Sequence, residues 1–500
     1  MSLSTRAGGS DVAGDPGQGR DTAATSGPLR HDRGGWGGAD DPGLISPAET
    51  SLLTDQYELA MAASYFRREM NAPAVFELFA RHLPKHRNWL IAAGIGPALA
   101  MVESMRFGQR ELDYLERLGF AERFLSYLAG FRFTGDVDAL PEGTVAFAAE
   151  PLVRVTGPRI EAQLLETLLL NQVNFQTAIA TKAARVVLAA GGGQPGRGGR
   201  VVDFSPRRDH GVDAAMKVAR CAAIAGAAGT SNVAAAMHYG LDPVGTMAHS
   251  YVMSFGDEGE AFRTFMEDTP ENAVMLVDTY DTLEGVRHAI AASRDTGVRL
   301  RGVRLDSGDL LELSRAAREL LDAAGMPEAG IVASGDLEER QITALVAAGA
   351  PIDVWGVGTD LGTSRDSPAL GGVYKLVADM PAPGEWRPVV KRSPAKATVP
   401  GPKQVFRTYR DGQMVGDLIA TTDEQADGHP LLVPLMRAGR RVGEESLAAL
   451  SARAASQLAA LPVPLRLPLD EAAPKPYPVD YSTRLEALAA AVAPAHGPAA

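Results

Sequence analysis

The sequence predicts an α/β fold, a parallel β/α barrel accompanied by a smaller α+β unit. Three observations predict it. From Val201 onward, short apolar stretches alternate with helical ones, as in "RVVDF" followed by "GVDAAMKVARCAAIAG". The interval is even: Asp278 and Asp306 stand at matching strand ends 28 positions apart, Ser334 follows 28 later, and Gly358 24 after that. Polar residues gather at the strand ends, among them Asp203, Arg207, Ser231, Asn232, His249, Asp336 and Thr359. In a β/α barrel these ends converge on one face, where active sites form. An open doubly wound sheet would bind its ligand at the same end. The number of units and the lack of a clear reversal point favour the barrel.

The elements follow in order. Residues 1–45 form a Gly/Ser/Asp-rich tail that buries too little surface to order itself. Residues 46–158 are expected to form an α+β domain. In it "LTDQYELAMAASYFRREM" (53–70) reads as a helix with Thr54 or Asp55 as its N-cap. "APAVFELFARHLP" (72–84) reads as a strand, "GIGPALAMVESM" and "ERFLSYLAGF" as helices, and 143–158 as antiparallel strands. Residues 159–190 give a long apolar helix or helix pair, and "GGGQPGRGG" a loop. The barrel is expected over 159–380. After about Met380 the rhythm breaks, and 389–421 reads as short strands joined by Pro/Gly turns that return to pack with the N-terminal sheet, within a 381–480 segment packing with the N-terminal domain. Residues 481–500 read as a low-complexity tail.

Composition excludes several classes. The net charge of −12, from 49 basic and 61 acidic residues, argues against a nucleic-acid or anionic membrane surface as partner. No stretch has the length of a membrane span, and the N-terminus lacks the apolar core of a signal peptide. The single cysteine, Cys221, reads as a small buried hydrophobe and suits a reducing cytoplasm.

The strand ends carry the chemistry. "VDFSPRRDHG" puts Arg207 and Arg208 on the turn after a strand, where a guanidinium and a helix start both favour an anion. In "VRLDSGDL", Arg304 and Asp306 alternate on one strand side, and Asp309 reads as an N-cap. Asp278 repeats the theme in "VDTYDT", with Asp281 as cap. Either strand-end aspartate suits sugar hydroxyls or a hard cation such as Mg²⁺. "VGTDLGTS" offers Gly358 and Thr359 in a turn whose N–H groups suit phosphate. His249 sits in "GTMAHSYVMSF", where Val244, Met247, Ala248, Val252, Met253 and Phe255 read as core. A buried imidazole needs a partner, so it is either a satisfied core residue or a reactive group. No Walker loop, zinc spacing or nucleophile elbow is present. Together these groups suit a phosphorylated sugar with Mg²⁺.

The strings "TDQYELAMAASY", "FELFARHLP", "VDFSPRRDHG", "GTSNVAAAMHYG", "GTMAHSYV", "VDTYDT", "RLDSGDL", "GVGTDLGTS" and "PGPKQVFR" occur in an order that resembles the nicotinate phosphoribosyltransferase family over about 50–410. The resemblance implies an irregular β/α barrel of the type II phosphoribosyltransferase kind, joined to an α+β domain built from both chain ends. It implies a homodimer with active sites at the subunit interface. The implied reaction joins nicotinate to 5-phosphoribosyl 1-diphosphate, a salvage step toward NAD, with Mg²⁺ and ATP hydrolysis. Residue by residue, it makes His249 the histidine phosphorylated by ATP. Phe204 and the partner subunit's Tyr57 become an aromatic pair around the pyridine ring. Arg207 and Arg304 lie near the carboxylate and sugar phosphate. Asp278 and Asp306 lie around ribose, diphosphate and metal, and Gly358 and Thr359 cradle the 5′-phosphate.

Ser231 bears on the substrate. Nicotinamide-using relatives carry an aspartate there, which repels a carboxylate, whereas serine donates to one. One departure is "DFS" where the family pattern has "DFG", with Ser205 and then Pro206 stiffening the turn. Competing readings are a nicotinamide- or quinolinate-using relative, a catalytically silent phosphoribosyl sensor, and an unrelated barrel aldolase. The last should offer a Schiff-base lysine at a strand end, and none stands among these motifs.

Overall fold

The strand Pro73–Ala80 is buried from Ala74 onward, which marks it as central rather than edge. In the computed structural model, which describes residues 47–191, 199–391, 397–466 and 476–492, it lies inside a seven-stranded antiparallel sheet. The order is Glu385–Pro388, Gly372–Ala382, Pro73–Ala80, Pro151–Pro158, Asp136–Ala139, Val433–Arg437 and Arg440–Arg441. Phe76 pairs with Leu376 on one side and Val155 on the other. Its ring stacks on Tyr374 with centroids 5.0 Å apart. The one charge on this strand, Glu77, is buried and answered by Lys403 Nζ at 2.7 Å.

This arrangement shortens the stretch expected to be barrel. Gly372–Ala382, most of it inside the stretch expected to be barrel, joins the N-terminal sheet, and so does Val433–Arg437. Lys403–Arg410 and Gln413–Thr421 return to pack with the N-terminal sheet as expected, Val405 and Ile419 sharing its core with Phe76, and they do so as a four-stranded sheet of their own with His429–Pro430 and Val479–Tyr481. The reason is packing: Arg407 is fully buried in that second sheet and bonds Asp417 on the adjacent strand. The C-terminal stretch also holds more order than expected. Thr483–Val492 is a helix whose Leu485 is buried, alanine and leucine supplying the propensity.

The long helix Glu166–Ala189 is buried on nearly every side, its polar residues Gln172, Gln176, Thr177, Thr181, Lys182 and Arg185 included. It leads into a five-stranded parallel sheet in the order Arg200–Asp203, Val354–Val357, Gly330–Ala333, Gly302–Leu305, Val274–Leu276. Beyond Asp203 the sheet thins to single parallel bridges, Asp203 to Thr230 and Thr230 to Pro243. Asn272 Nδ2 donates to Gly245 O at 2.8 Å, tying this thin side to the region of Val274–Leu276. The parallel sheet is consistent with an α/β barrel. Trp355 and Leu305 are fully buried within it.

Several local expectations change. The first helix is Gln56–Arg67, and Asp55 holds its N-cap position without capping it. Asp55 Oδ2 instead accepts from Thr167 Oγ1 at 2.8 Å. A helix at Gln109–Arg117 stands where none was expected, because the run is mostly charged and only Glu111 and Leu115 are buried. The flanks of His249 are only partly core. Met247 and Val252 are buried, but Ala248 is exposed and Met253 is 59 % exposed. His249 opens a short helix, His249–Met253, which turns alternate flanks outward. Cys221 is buried as expected, and burial pushes its thiol up to about 12. Among the described residues, no helix is long and apolar enough to cross a membrane. The expectations for residues 1–45 and for the loop at 192–198 lie outside the described residues, except that 191 and 199 flank that loop.

Candidate active site

The turn after Arg200–Asp203 is fixed from below. Asp203 is buried, and its two oxygens accept from Ser205 N at 2.9 Å and Thr230 Oγ1 at 2.7 Å. Ser205 is also buried, and its hydroxyl donates to Asp209 Oδ2 at 3.1 Å. The serine of the "DFS" departure thus braces the arginine turn, and Pro206 fixes φ beside it. Burial pushes the Asp209 carboxyl up to about 7, against the pull of the Ser205 bond. Gly362 must be glycine here, since a Cβ would stand 2.0 Å from Asp209 Oδ1.

Phe204 is buried between two neighbours. A Cβ on Gly356 would lie 2.5 Å from its ring, and the Arg304 guanidinium sits 5.4 Å from the ring centroid. Arg304 is a hub. Nε donates to Ser334 Oγ at 2.8 Å, Nη2 to Asp306 Oδ1 at 2.7 Å, and Nη1 to Met247 O at 3.3 Å. Burial would raise the Asp306 carboxyl, but the Ser334 hydroxyl and Arg304 outweigh it and hold it below its usual range. Asp306 therefore stays ionised.

Asp278 lies beside Asp306. Its Oδ2 accepts from Asp306 N at 3.0 Å and from Ser307 Oγ at 2.6 Å. Its Oδ1 is buried with no hydrogen-bond partner among the described residues. The His249 ring bridges outward: Nδ1 lies 3.1 Å from Thr279 Oγ1, and Nε2 lies 3.8 Å from Asp306 Oδ2.

A cavity of about 240 Å³ gathers Phe204, Arg207, Arg208, Arg304, Asp306, Gly358 and Thr359, with the 334–336 turn as a further wall. Gly358 precedes the short helix Thr359–Gly362. In the 334–336 turn Asp336 has φ 44°, left-handed backbone that aspartate tolerates better than most. Arg207 and Arg208 are exposed and form no ion pair among the described residues, which leaves their guanidinium groups to an anion.

Of the predicted residues, six line this cavity. His249 and Asp278 adjoin it through Asp306. Ser231 lies next to the arginine turn, its N–H donating to Asp203 O at 2.8 Å. The Ser231 hydroxyl is buried with no partner among the described residues. Tyr57 stands apart, 52 % exposed on the first helix and outside the cavity lining. Asp281 and Asp309 cap their helices as read, and Asn232 caps a third, each accepting a helix N–H. Sequence reasoning missed Asp209, Gly356, Thr279 and a buried lysine, Lys182. The available signal for the last was a pair of cations, Lys182 and Arg185, in the largely apolar run "TAIATKAARVVL".

Comparison with known proteins identifies the family. The N-terminal domain model of nicotinate phosphoribosyltransferase matches residues 52–174, and the nicotinate phosphoribosyltransferase family model matches 200–404. Nicotinate phosphoribosyltransferase pncB2 of Mycobacterium tuberculosis is 49 % identical over 440 residues, covering 87 % of this chain and 92 % of its own. The nicotinate phosphoribosyltransferase of Bacillus subtilis is 45 % identical over 386 residues, covering 75 % of this chain and 77 % of its own. Among solved structures, human nicotinic acid phosphoribosyltransferase superposes with a TM-score of 0.75 at 27 % identity, covering 88 % of this chain and 99 % of the human one. The chain belongs to the nicotinate phosphoribosyltransferase family.

Proposed function

We propose that this enzyme joins nicotinate to 5-phosphoribosyl 1-diphosphate, giving nicotinate mononucleotide and diphosphate, with ATP hydrolysis assisting through a phosphorylated His249. The product feeds NAD salvage in the cytoplasm. One observation carries the reading: unpaired arginines, a buried aromatic ring and the Gly358–Thr359 turn share one cavity. Arg207 and the partnerless Ser231 hydroxyl suit the nicotinate carboxylate, and Phe204 offers the ring contact. Tyr57 completes the clamp from a second subunit of a homodimer, which accounts for its exposure and distance from its own cavity. The fold is the irregular β/α barrel of type II phosphoribosyltransferases, joined to an α+β domain made from both chain ends.

The chemistry follows from charge. Departure of diphosphate leaves positive charge on the ribose C1 and ring oxygen, and ionised Asp306 is the group the chain offers it. The pyridine nitrogen attacks as it stands, so no general base is needed and alignment at C1 decides the rate. His249 Nε2 takes the phosphoryl group from ATP as ADP leaves, while the Nδ1 contact to Thr279 holds the ring. The phosphate adds roughly −1.5 to −2 charges if it behaves like other protein phosphates. Mg²⁺, when bound, stabilises the leaving diphosphate. Asp278 and Asp306 would hold it, and the orphaned Asp278 Oδ1 fits a hard cation.

The test is nucleotide formation from nicotinate and from nicotinamide, each with and without ATP. Product from nicotinate, stimulated by ATP, is expected. Equal or greater turnover of nicotinamide would overturn the substrate assignment.

A further inference from the structure

Lys182 lies on the long helix Glu166–Ala189 with its side chain only 1 % exposed. Its ammonium donates to Glu339, forms an ion pair with Asp360, and reaches Asp366 Oδ1 at 3.1 Å. Arg185 Nε takes the other Glu339 oxygen at 3.0 Å. Arg87 pairs with Asp366 and donates to Ser364 Oγ at 3.2 Å. Three cations therefore meet three carboxylates, and all but the partly exposed Asp366 lie out of water. Burying such a cluster carries a large desolvation cost, and apolar packing of the same volume is often as stable. Its placement points to a role beyond stability.

Each carboxylate belongs to an element that continues a wall of the cavity. Glu339 opens the helix Glu339–Ala347 just after the 334–336 turn. Asp360 directly follows Thr359, and Asp366 closes the same loop. Lys182 itself is not among the residues lining the cavity. We propose that Lys182 is a positioning residue, whose ammonium ties the 334–336 and 358–359 turns together from beneath and so sets the cavity's affinity for the phosphoribosyl substrate. This rests on the reading of Gly358 and Thr359 as the 5′-phosphate cradle.

The test compares Lys182→Met, Lys182→Arg and Gly358→Ala in the full chain, by steady-state kinetics with each substrate varied. Lys182→Met should raise KM for 5-phosphoribosyl 1-diphosphate by about 10- to 100-fold, the scale of a misplaced binding group. The KM for nicotinate and kcat should stay within about twofold, and Lys182→Arg should recover part of the loss. Should Lys182→Met fail to fold, Asp360→Asn cuts the same tie and should raise the same KM by about threefold, the worth of one modest contact. An unchanged phosphoribosyl KM in a folded variant overturns the proposal, as does an equal loss for both substrates. Gly358→Ala separates the two readings. If it leaves that KM unmoved, the cradle assignment falls and the positioning role with it. If it raises KM while Lys182→Met does not, only the positioning role falls.

Discussion

His249 presents its two ring nitrogens to different partners: Nδ1 to the Thr279 hydroxyl at 3.1 Å and Nε2 to Asp306 Oδ2 at 3.8 Å. The first contact fixes the ring and leaves the second nitrogen toward the cavity. His249→Asn should abolish both labelling from γ-labelled ATP and ATP stimulation, while basal transfer remains. Thr279→Val should loosen the ring and cut the stimulation about 3- to 10-fold, the worth of one hydrogen bond. Label retained in His249→Asn would remove the histidine from this role.

The Ser231 hydroxyl, buried without a partner among the described residues, stands ready to donate. Ser231→Asp puts an acceptor and a negative charge there. In a competition between the two bases, preference should move toward nicotinamide by about tenfold or more, as expected when a buried donor is exchanged for a repelling charge. Unchanged selectivity would sink the argument.

Gly356 gives Phe204 its place, because a Cβ would stand 2.5 Å from the ring. Gly356→Ala must push the ring or the strand, at a cost of about 1–3 kcal/mol. The expected result is a lower Tm together with a raised KM for nicotinate. A stable variant with native nicotinate KM would show that Phe204 is not part of the base site.

Asp209 gives the protein a pH signature. Burial holds its carboxyl at about 7, above the unfolded value near 3.9. Between those limits the folded state binds more protons than the unfolded one, so this group's contribution to stability falls as pH rises through that window. Asp209→Asn removes the loss. Its Tm relative to the parent should therefore be higher at pH 8 than at pH 5. A difference independent of pH, measured by thermal scans across that range, would contradict the assignment.

The parallel sheet and its polar strand ends were legible because their signals are local. Strand period, helix caps and spacing all lie within short windows, which is why Asp281 and Asp309 cap as read. What was not legible depends on partners far along the chain. Asp55 has a good capping residue's chemistry but gives its oxygen to Thr167, 112 positions away. Arg304 was visible as a site residue, whereas its joint hold on Phe204, Ser334 and Asp306 exists only in three dimensions. Lys182 was passed over because a helix read for its apolar residues does not show which of its charges, Lys182 and Arg185 among them, will be buried. Gly372–Ala382 was read as barrel because a strand's residues do not reveal which sheet it will join.

The pairing of Phe76 with Leu376 has a further consequence, in the order of events at the ribosome. Strand Pro73–Ala80 is made early, yet one of its two neighbours is made 300 residues later. At roughly 5–20 residues per second, that is a wait of about 15–60 s. Throughout it, one edge of an apolar strand has no cognate neighbour and is open to mispairing. Nascent chains released before Gly372 should therefore collect as insoluble material or on chaperones, while the complete chain, able to close the sheet, escapes both.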